Sequence, residues 1–125
     1  MEIGIPYIRT IMNENDPYIV YKVEVKFRNW KNSVEKRYSE FLELHREMKM
    51  VRKILHTRLP RFPGKHVWKR FMHTFSADDI EERRVGLEEY LRMLAVTECA
   101  RSTEYFPGFL EMPLEIREEY IIKKD

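Results

Sequence analysis

The spacing of apolar and polar positions changes part-way along the chain. Between Ile19 and Phe27, the residues Ile19, Tyr21, Val23, Val25 and Phe27 alternate with Val20, Lys22, Glu24 and Lys26. A period of two, carried by β-branched and aromatic side chains, predicts a half-buried strand. Ile3 to Ile8 predicts a shorter strand. Pro6 confines it to a sheet edge, because proline has no N–H to give to an inner ladder. Met12 to Pro17 is polar and turn-like. Arg28 to Asn32 is the expected hairpin connection, with Ser33 to Tyr38 as the return strand.

Beyond Tyr38 the period lengthens. Phe41, Leu44, Met48, Val51 and Leu55 recur at helical spacing, a stripe that needs a core to cover it. Ser39 is the expected cap, with the helix beginning at Glu40. The helix should stop before Pro60, where Leu59 to Gly64 forms an extended turn. Ser76-Ala77-Asp78-Asp79 predicts a second helix start, and Ile80, Leu87, Leu91 and Leu94 mark its buried face as far as about Thr97. Thr103 to Leu110 predicts a short helix with Phe106, Phe109 and Leu110 turned inward. Strands followed by helices give an α+β domain, a three-stranded antiparallel β-meander packed against a helical layer.

Length and composition narrow the class. A chain of 125 residues is one domain, and 43% hydrophobic residues support a packed core. No apolar run approaches the roughly 18 residues that span a bilayer. No basic segment followed by an apolar stretch marks a signal peptide at the N-terminus. The single Cys99 excludes an internal disulfide framework and a cysteine-based zinc finger. The expectation is a soluble domain in a reducing compartment.

The formal net charge of +2 hides an asymmetry. Lys49, Arg52, Lys53, Arg58, Arg61, Lys65, Lys69 and Arg70 fall between Met48 and Ala77, a stretch with no Asp or Glu. The remaining chain has 15 basic against 21 acidic residues, a balance of −6. Folded onto one side, such a segment attracts phosphate-rich partners, nucleic acid or an anionic membrane. Catalytic chemistry is thin by comparison. The four glycines are not clustered, so no phosphate-cradling loop is present. Cys99 reads as a small core residue, and the histidines lack a metal-binding helix spacing. Glu81-Glu82 and Glu88-Glu89 read as solvated helix faces. No enzymatic activity, cofactor or metal is expected.

The most informative segment is Lys36-Arg37-Tyr38-Ser39-Glu40-Phe41, at the handover from strand to helix. A basic side chain there reaches the helix N-terminus, where free backbone N–H groups favour an anion. Tyr38 adds a flat ring against which a sugar-like ring can lie. The alternative is that Arg37 pairs with a surface carboxylate.

These residues carry a resemblance. Lys36 to Phe41 resembles the signature of the PX (phox homology) domain, the phosphoinositide-binding module of sorting nexins. Leu59-Pro60-Arg61-Phe62-Pro63-Gly64-Lys65 is similar to that family's proline-rich loop ending in lysine. Glu82 to Leu91 is similar to its arginine-bearing helix, and Tyr105 to Leu110 to its closing helix. The resemblance covers 1–112 and leaves 113–125 as a polar C-terminal tail that can be helical. It implies the PX-domain fold and a headgroup pocket, most often for phosphatidylinositol 3-phosphate. In that pocket Arg37 would grip the 3-phosphate and Tyr38 would pack against the inositol ring. Lys65 would meet the 1-phosphate, and Arg83 would hydrogen-bond the 4- and 5-hydroxyls. Periodicity cannot choose between Arg83 and Arg84, since both border the buried stripe. The resemblance favours Arg83 and leaves Arg84 to a structural ion pair.

After Lys65, the apolar Val67, Trp68, Phe71 and Met72 are interleaved with Lys69 and Arg70, and Arg61 precedes them. Apolar tips with a basic collar describe a membrane-inserting loop, Trp68 being the expected tip. The competing use for Trp68 and Phe71 is closure of the core. Trp30 is expected to pack against the sheet. The implied protein is a peripheral adaptor in membrane trafficking, on endosomal or vacuolar membranes from the cytoplasmic side. Its partners would be a phosphoinositide headgroup and the anionic surface, with room for a protein partner, no nucleic acid, and a monomeric state favoured. The other reading is a PX-fold module for protein–protein contact with little lipid specificity.

Overall fold

The computed structural model describes residues 1–12, 17–63 and 77–122. Three strands, β1 (Glu2–Ile11), β2 (Tyr18–Phe27) and β3 (Trp30–Lys36), form one antiparallel sheet in that order. The helices α1 (Tyr38–Leu55), α2 (Ala77–Leu94), α3 (Glu98–Arg101), α4 (Tyr105–Phe109) and α5 (Leu114–Tyr120) follow. This is the α+β order that the change of period predicts.

The alternation in β2 fixes which face is buried. Tyr21, Val23 and Val25 are buried while Glu24 and Lys26 are exposed. β1 is an edge strand, as Pro6 requires, but it is longer than Ile3 to Ile8 at both ends. Its register against β2 shifts between Gly4 and Tyr7, which places Pro6 in a bulge where no ladder N–H is needed. The hairpin differs from expectation. Phe27 pairs with Trp30, so Arg28-Asn29 alone make the turn and β3 starts three residues before Ser33. Arg28 takes the left-handed conformation (φ 55°) that this tight reversal demands. Trp30 is half-buried against the core.

The other edge of β1 meets α2. Arg92 Nε donates to Ile3 O at 2.7 Å, Ile5 N donates to Glu88 Oε2 at 2.7 Å, and Arg84 Nη1 donates to Ile5 O at 2.5 Å. Three side chains four residues apart thus take the place of a neighbouring strand and close an edge that would otherwise offer unpaired backbone groups. Inside, Phe41, Leu44, Met48 and Val51 of α1 and Leu87, Leu91 and Leu94 of α2 are buried, as their spacing predicts. Leu55 is only partly buried, because the chain turns at His56 (φ 55°). α2 stops at Leu94 rather than Thr97, since Thr97 caps α3 by accepting from Ala100 N at 3.2 Å. Phe106 and Leu110 are fully buried and Phe109 partly so. Cys99 is buried, 3.2 Å from Thr57 Oγ1.

The segment after 113 adds to this core. Tyr120 of α5 is 2% exposed, and its hydroxyl donates to Ala95 O at 2.6 Å. Arg101 Nε donates to Tyr120 O and Ile122 N to Arg101 O, fastening the end of the helix to α3. Among the described residues, no helix is long and apolar enough to cross a membrane.

Candidate anion-binding site

The site forms where β3 ends. β3 pairs with β2 only as far as Lys36 opposite Tyr21. β2 continues as Tyr18, Ile19 and Val20, paired there with β1 alone. The chain therefore leaves the sheet beside an overhanging hairpin and enters α1 at once. Arg37, not Ser39, is the N-cap: its backbone is extended (φ −84°, ψ 159°), and its carbonyl accepts from Glu40 N at 3.0 Å. The Glu40 carboxylate reaches back to accept from Arg37 N at 3.0 Å. That reciprocal arrangement holds the junction closed and explains why the helix starts earlier than a serine cap implies. The first-turn amides of an α-helix have no carbonyl four residues behind them, and the partial positive charge there favours an anion.

The Arg37 guanidinium is exposed and lies over the Tyr18 ring, with Cζ 4.1 Å from the ring centroid. Among the described residues no ion pair engages it. Among the described residues, then, Arg37 meets an aromatic ring and not a surface carboxylate. Lys36 is occupied differently. Its Nζ is 3.8 Å from Glu40 and sits over the Phe109 ring.

Tyr38 is half-buried, with its hydroxyl 3.4 Å from Pro63 O and its ring 5.7 Å from Phe62. Arg83 of α2 covers one face of that ring at 3.3 Å from the centroid and is only 4% exposed. Burial lowers the Arg83 pKa, and the charge and hydrogen bonding of Tyr21 and Tyr38 oppose that shift. Arg84 points the other way, into the β1 edge, and pairs with Glu81 and Glu88. The choice that periodicity leaves open is made by packing: Arg83 joins the junction and Arg84 serves the sheet.

The proline loop seals the site. Pro60 is buried. Phe62 stacks on His45 (4.8 Å, 15°) and meets Tyr90 edge-on at 5.0 Å. His45 Nδ1 is 2.8 Å from the Tyr90 hydroxyl. Burial, together with Lys49 and Arg52, pushes the His45 pKa down to about 4. At Gly86 α2 passes so close that an added Cβ would lie 3.3 Å from Pro63 Cγ, so only glycine leaves the loop undisturbed. Arg61 is exposed at the start of this loop, as are Lys49, Arg52, Lys53 and Arg58 before it. Lys65, Val67, Trp68, Lys69, Arg70, Phe71 and Met72 lie outside the described residues.

This arrangement of sheet, junction and helices has known counterparts. The chain matches the PX domain family over residues 24–113. It belongs to the PX domain family. This PX domain is 37% identical over 115 residues to human sorting nexin-24, covering 90% of this chain and 60% of the relative. Fission yeast (Schizosaccharomyces pombe) sorting nexin-3 is 42% identical over 69 residues, 55% of this chain and 44% of the relative. The chain thus spans 60% of the length of the sorting nexin-24 sequences it matches. A solved structure described as a designed CISK-PX domain superposes with a TM-score of 0.74 at 25% identity, over 89% of this chain and 99% of that one.

The resemblance gathers Arg37, Tyr38 and Arg83 into one pocket; the fold lays Arg83 on the Tyr38 ring, while the neighbouring Arg37 guanidinium lies over Tyr18. Sequence reasoning misses Tyr18, Phe62 and His45. Tyr18 sits at the head of a strand, where period-two patterning says nothing about a neighbour 19 residues on. Phe62 sits in a loop without any period.

Proposed function

We propose that this PX domain is a phosphoinositide-reading membrane-targeting module and that its preferred headgroup is phosphatidylinositol 3-phosphate on endosomal or vacuolar membranes. The observation that carries the reading is the junction itself: an exposed guanidinium at the N-cap of α1, without a carboxylate partner among the described residues, next in the chain to Tyr38, whose ring Arg83 covers. A phosphate there meets a planar fork of donors and the positive end of a helix together, and each charge-assisted bond contributes roughly 1.5–3 kcal/mol. Arg37 takes the 3-phosphate and Tyr38 offers the face turned away from Arg83 to the inositol ring. Arg83, with its backbone fixed by α2, donates to the ring hydroxyls.

Lys65 takes the 1-phosphate. It follows Pro63 by two positions in the chain, and Pro63 O lies 3.4 Å from the Tyr38 hydroxyl. Val67, Trp68, Phe71 and Met72 enter the bilayer interface, while Lys69, Arg70 and Arg61 meet anionic headgroups at about 1 kcal/mol each. Headgroup, insertion and surface charge act together, so the protein is an adaptor of the trafficking machinery rather than an enzyme. The domain organisation proposed is a PX domain over 1–112 with 113–125 as its C-terminal extension.

Flotation with vesicles carrying each phosphoinositide in turn tests this. Wild type should float with phosphatidylinositol 3-phosphate far above the others, Arg37→Ala should stay in solution, and Trp68→Ala should float weakly. Equal flotation with every lipid would refute the specific pocket. Wild-type levels of flotation by Arg37→Ala would favour the protein–protein reading.

A further inference from the structure

We infer that Tyr18 is a positioning residue for Arg37, holding the guanidinium ready for a phosphate without consuming any of its hydrogen-bond donors. The inference rests on the lipid-headgroup reading above and names a residue that neither the Lys36-to-Phe41 motif nor periodicity marks.

The geometry comes from unequal strands. β2 overruns β3 by three residues, Tyr18 to Val20, because β3 ends at Lys36 opposite Tyr21. On the side where β3 would have continued, the overhang is met instead by Arg37, the first residue off the sheet. Tyr18 lies at the very start of β2, opposite Ile11 of β1, and is half-buried. The ladder thus holds its backbone. The Arg37 Cζ sits 4.1 Å from that ring's centroid, within the range for attraction between a cation and an aromatic quadrupole.

The choice of partner matters for function. An exposed arginine carries several freely rotating bonds, and ordering them upon ligand binding weakens affinity. A carboxylate would also hold the side chain still, but it would accept from the N–H groups that a phosphate needs and would cancel the charge. An aromatic face restrains the guanidinium plane from below and leaves its edge donors free. Among the described residues, three other arginines are held by carboxylates. Arg9 is bonded to Glu35, Arg84 to Glu81, and Arg117 to Glu104. Among the same residues, Arg37 has the ring instead.

The test compares wild type, Tyr18→Phe, Tyr18→Leu and Arg37→Ala in the full chain. Calorimetric titration with water-soluble short-chain phosphatidylinositol 3-phosphate reads affinity. NMR of the ligand-free protein reads the Arg37 Nε–H and δ-methylene shifts, and thermal melting reads folding. Tyr18→Phe should bind like wild type and keep the ring-current shifts on Arg37. Tyr18→Leu should lose those shifts, bind about two- to five-fold more weakly, and melt like Tyr18→Phe. Unchanged affinity in Tyr18→Leu, or Arg37 shifts that do not respond to it, would overturn the inference. So would equal weakening in both variants, which would assign the effect to the hydroxyl. A wild type that binds no more tightly than Arg37→Ala would overturn the headgroup reading itself. In that case the NMR shifts would still report whether the ring restrains the arginine.

Discussion

At the residue scale, His45 shows how one packed side chain ties the site to pH. It lies between Phe62 and Tyr90, faces Lys49 and Arg52 on its own helix, and its pKa is lowered to about 4. In the unfolded chain the same imidazole titrates near its ordinary value of about 6.5. Folding therefore favours the neutral ring. His45 leaves stability unaffected above about pH 6.5, and stability falls as pH drops from there toward 4, because only the unfolded state takes up the proton. The imidazole is half-buried, so water screens the effect to roughly 1–2 kcal/mol. Urea titrations at about pH 7 and about pH 4.5 should show that loss in wild type and a smaller one in His45→Gln, which has no proton to gain. Phe62, stacked on His45, leads directly into Pro63, whose carbonyl oxygen lies 3.4 Å from the Tyr38 hydroxyl.

At the element scale, the seam between α2 and β1 holds the sheet in place. Arg84, Glu88 and Arg92 line one face of α2 and serve two carbonyls and one amide of the edge strand. Glu88 is central. It accepts from Ile5 N and pairs with Arg92 at 3.2 Å and Arg84 at 3.8 Å. Glu88→Ala leaves a part-buried amide without its acceptor and should cost about 1–3 kcal/mol in urea unfolding. Glu88→Gln keeps a carbonyl acceptor and should recover most of that. The seam also orients α2, and α2 carries Arg83 to Tyr38. Equal stability of wild type and Glu88→Ala would show that the strand edge needs no such cover.

At the scale of the whole molecule, the C-terminal helix is part of the fold rather than an appendage. α5 inserts Tyr120 beside Phe27 and Phe106 (ring centroids 5.8 Å and 6.0 Å) and bonds its hydroxyl to Ala95 O just past α2. Arg28 in the hairpin turn pairs with Glu119 at 3.4 Å, so the same helix touches the sheet. Tyr120→Phe should cost about 1 kcal/mol through the lost buried hydrogen bond. A chain ending at 113 loses the whole aromatic ring as well and should melt several degrees below Tyr120→Phe. Thermal melts of the two variants against wild type read this directly. A truncated chain that melts like wild type would show the helix to be an accessory.

Element types and their order follow from local patterning. Alternation at Ile19 to Phe27 and helical spacing from Phe41 to Leu55 report which face of each element must leave water, and that demand is local. The Lys36-to-Phe41 motif was legible because strand end, arginine and helix start are adjacent in the chain. Packing between elements decides the rest. Whether Arg83 or Arg84 faces the junction depends on how α2 lies across β1, a matter of packing between residues some 80 apart. That the Arg37 guanidinium meets the Tyr18 ring depends on β2 outrunning β3. Periodicity carries no term for contacts between elements, and those contacts are what choose the side chains that meet at the strand-to-helix corner.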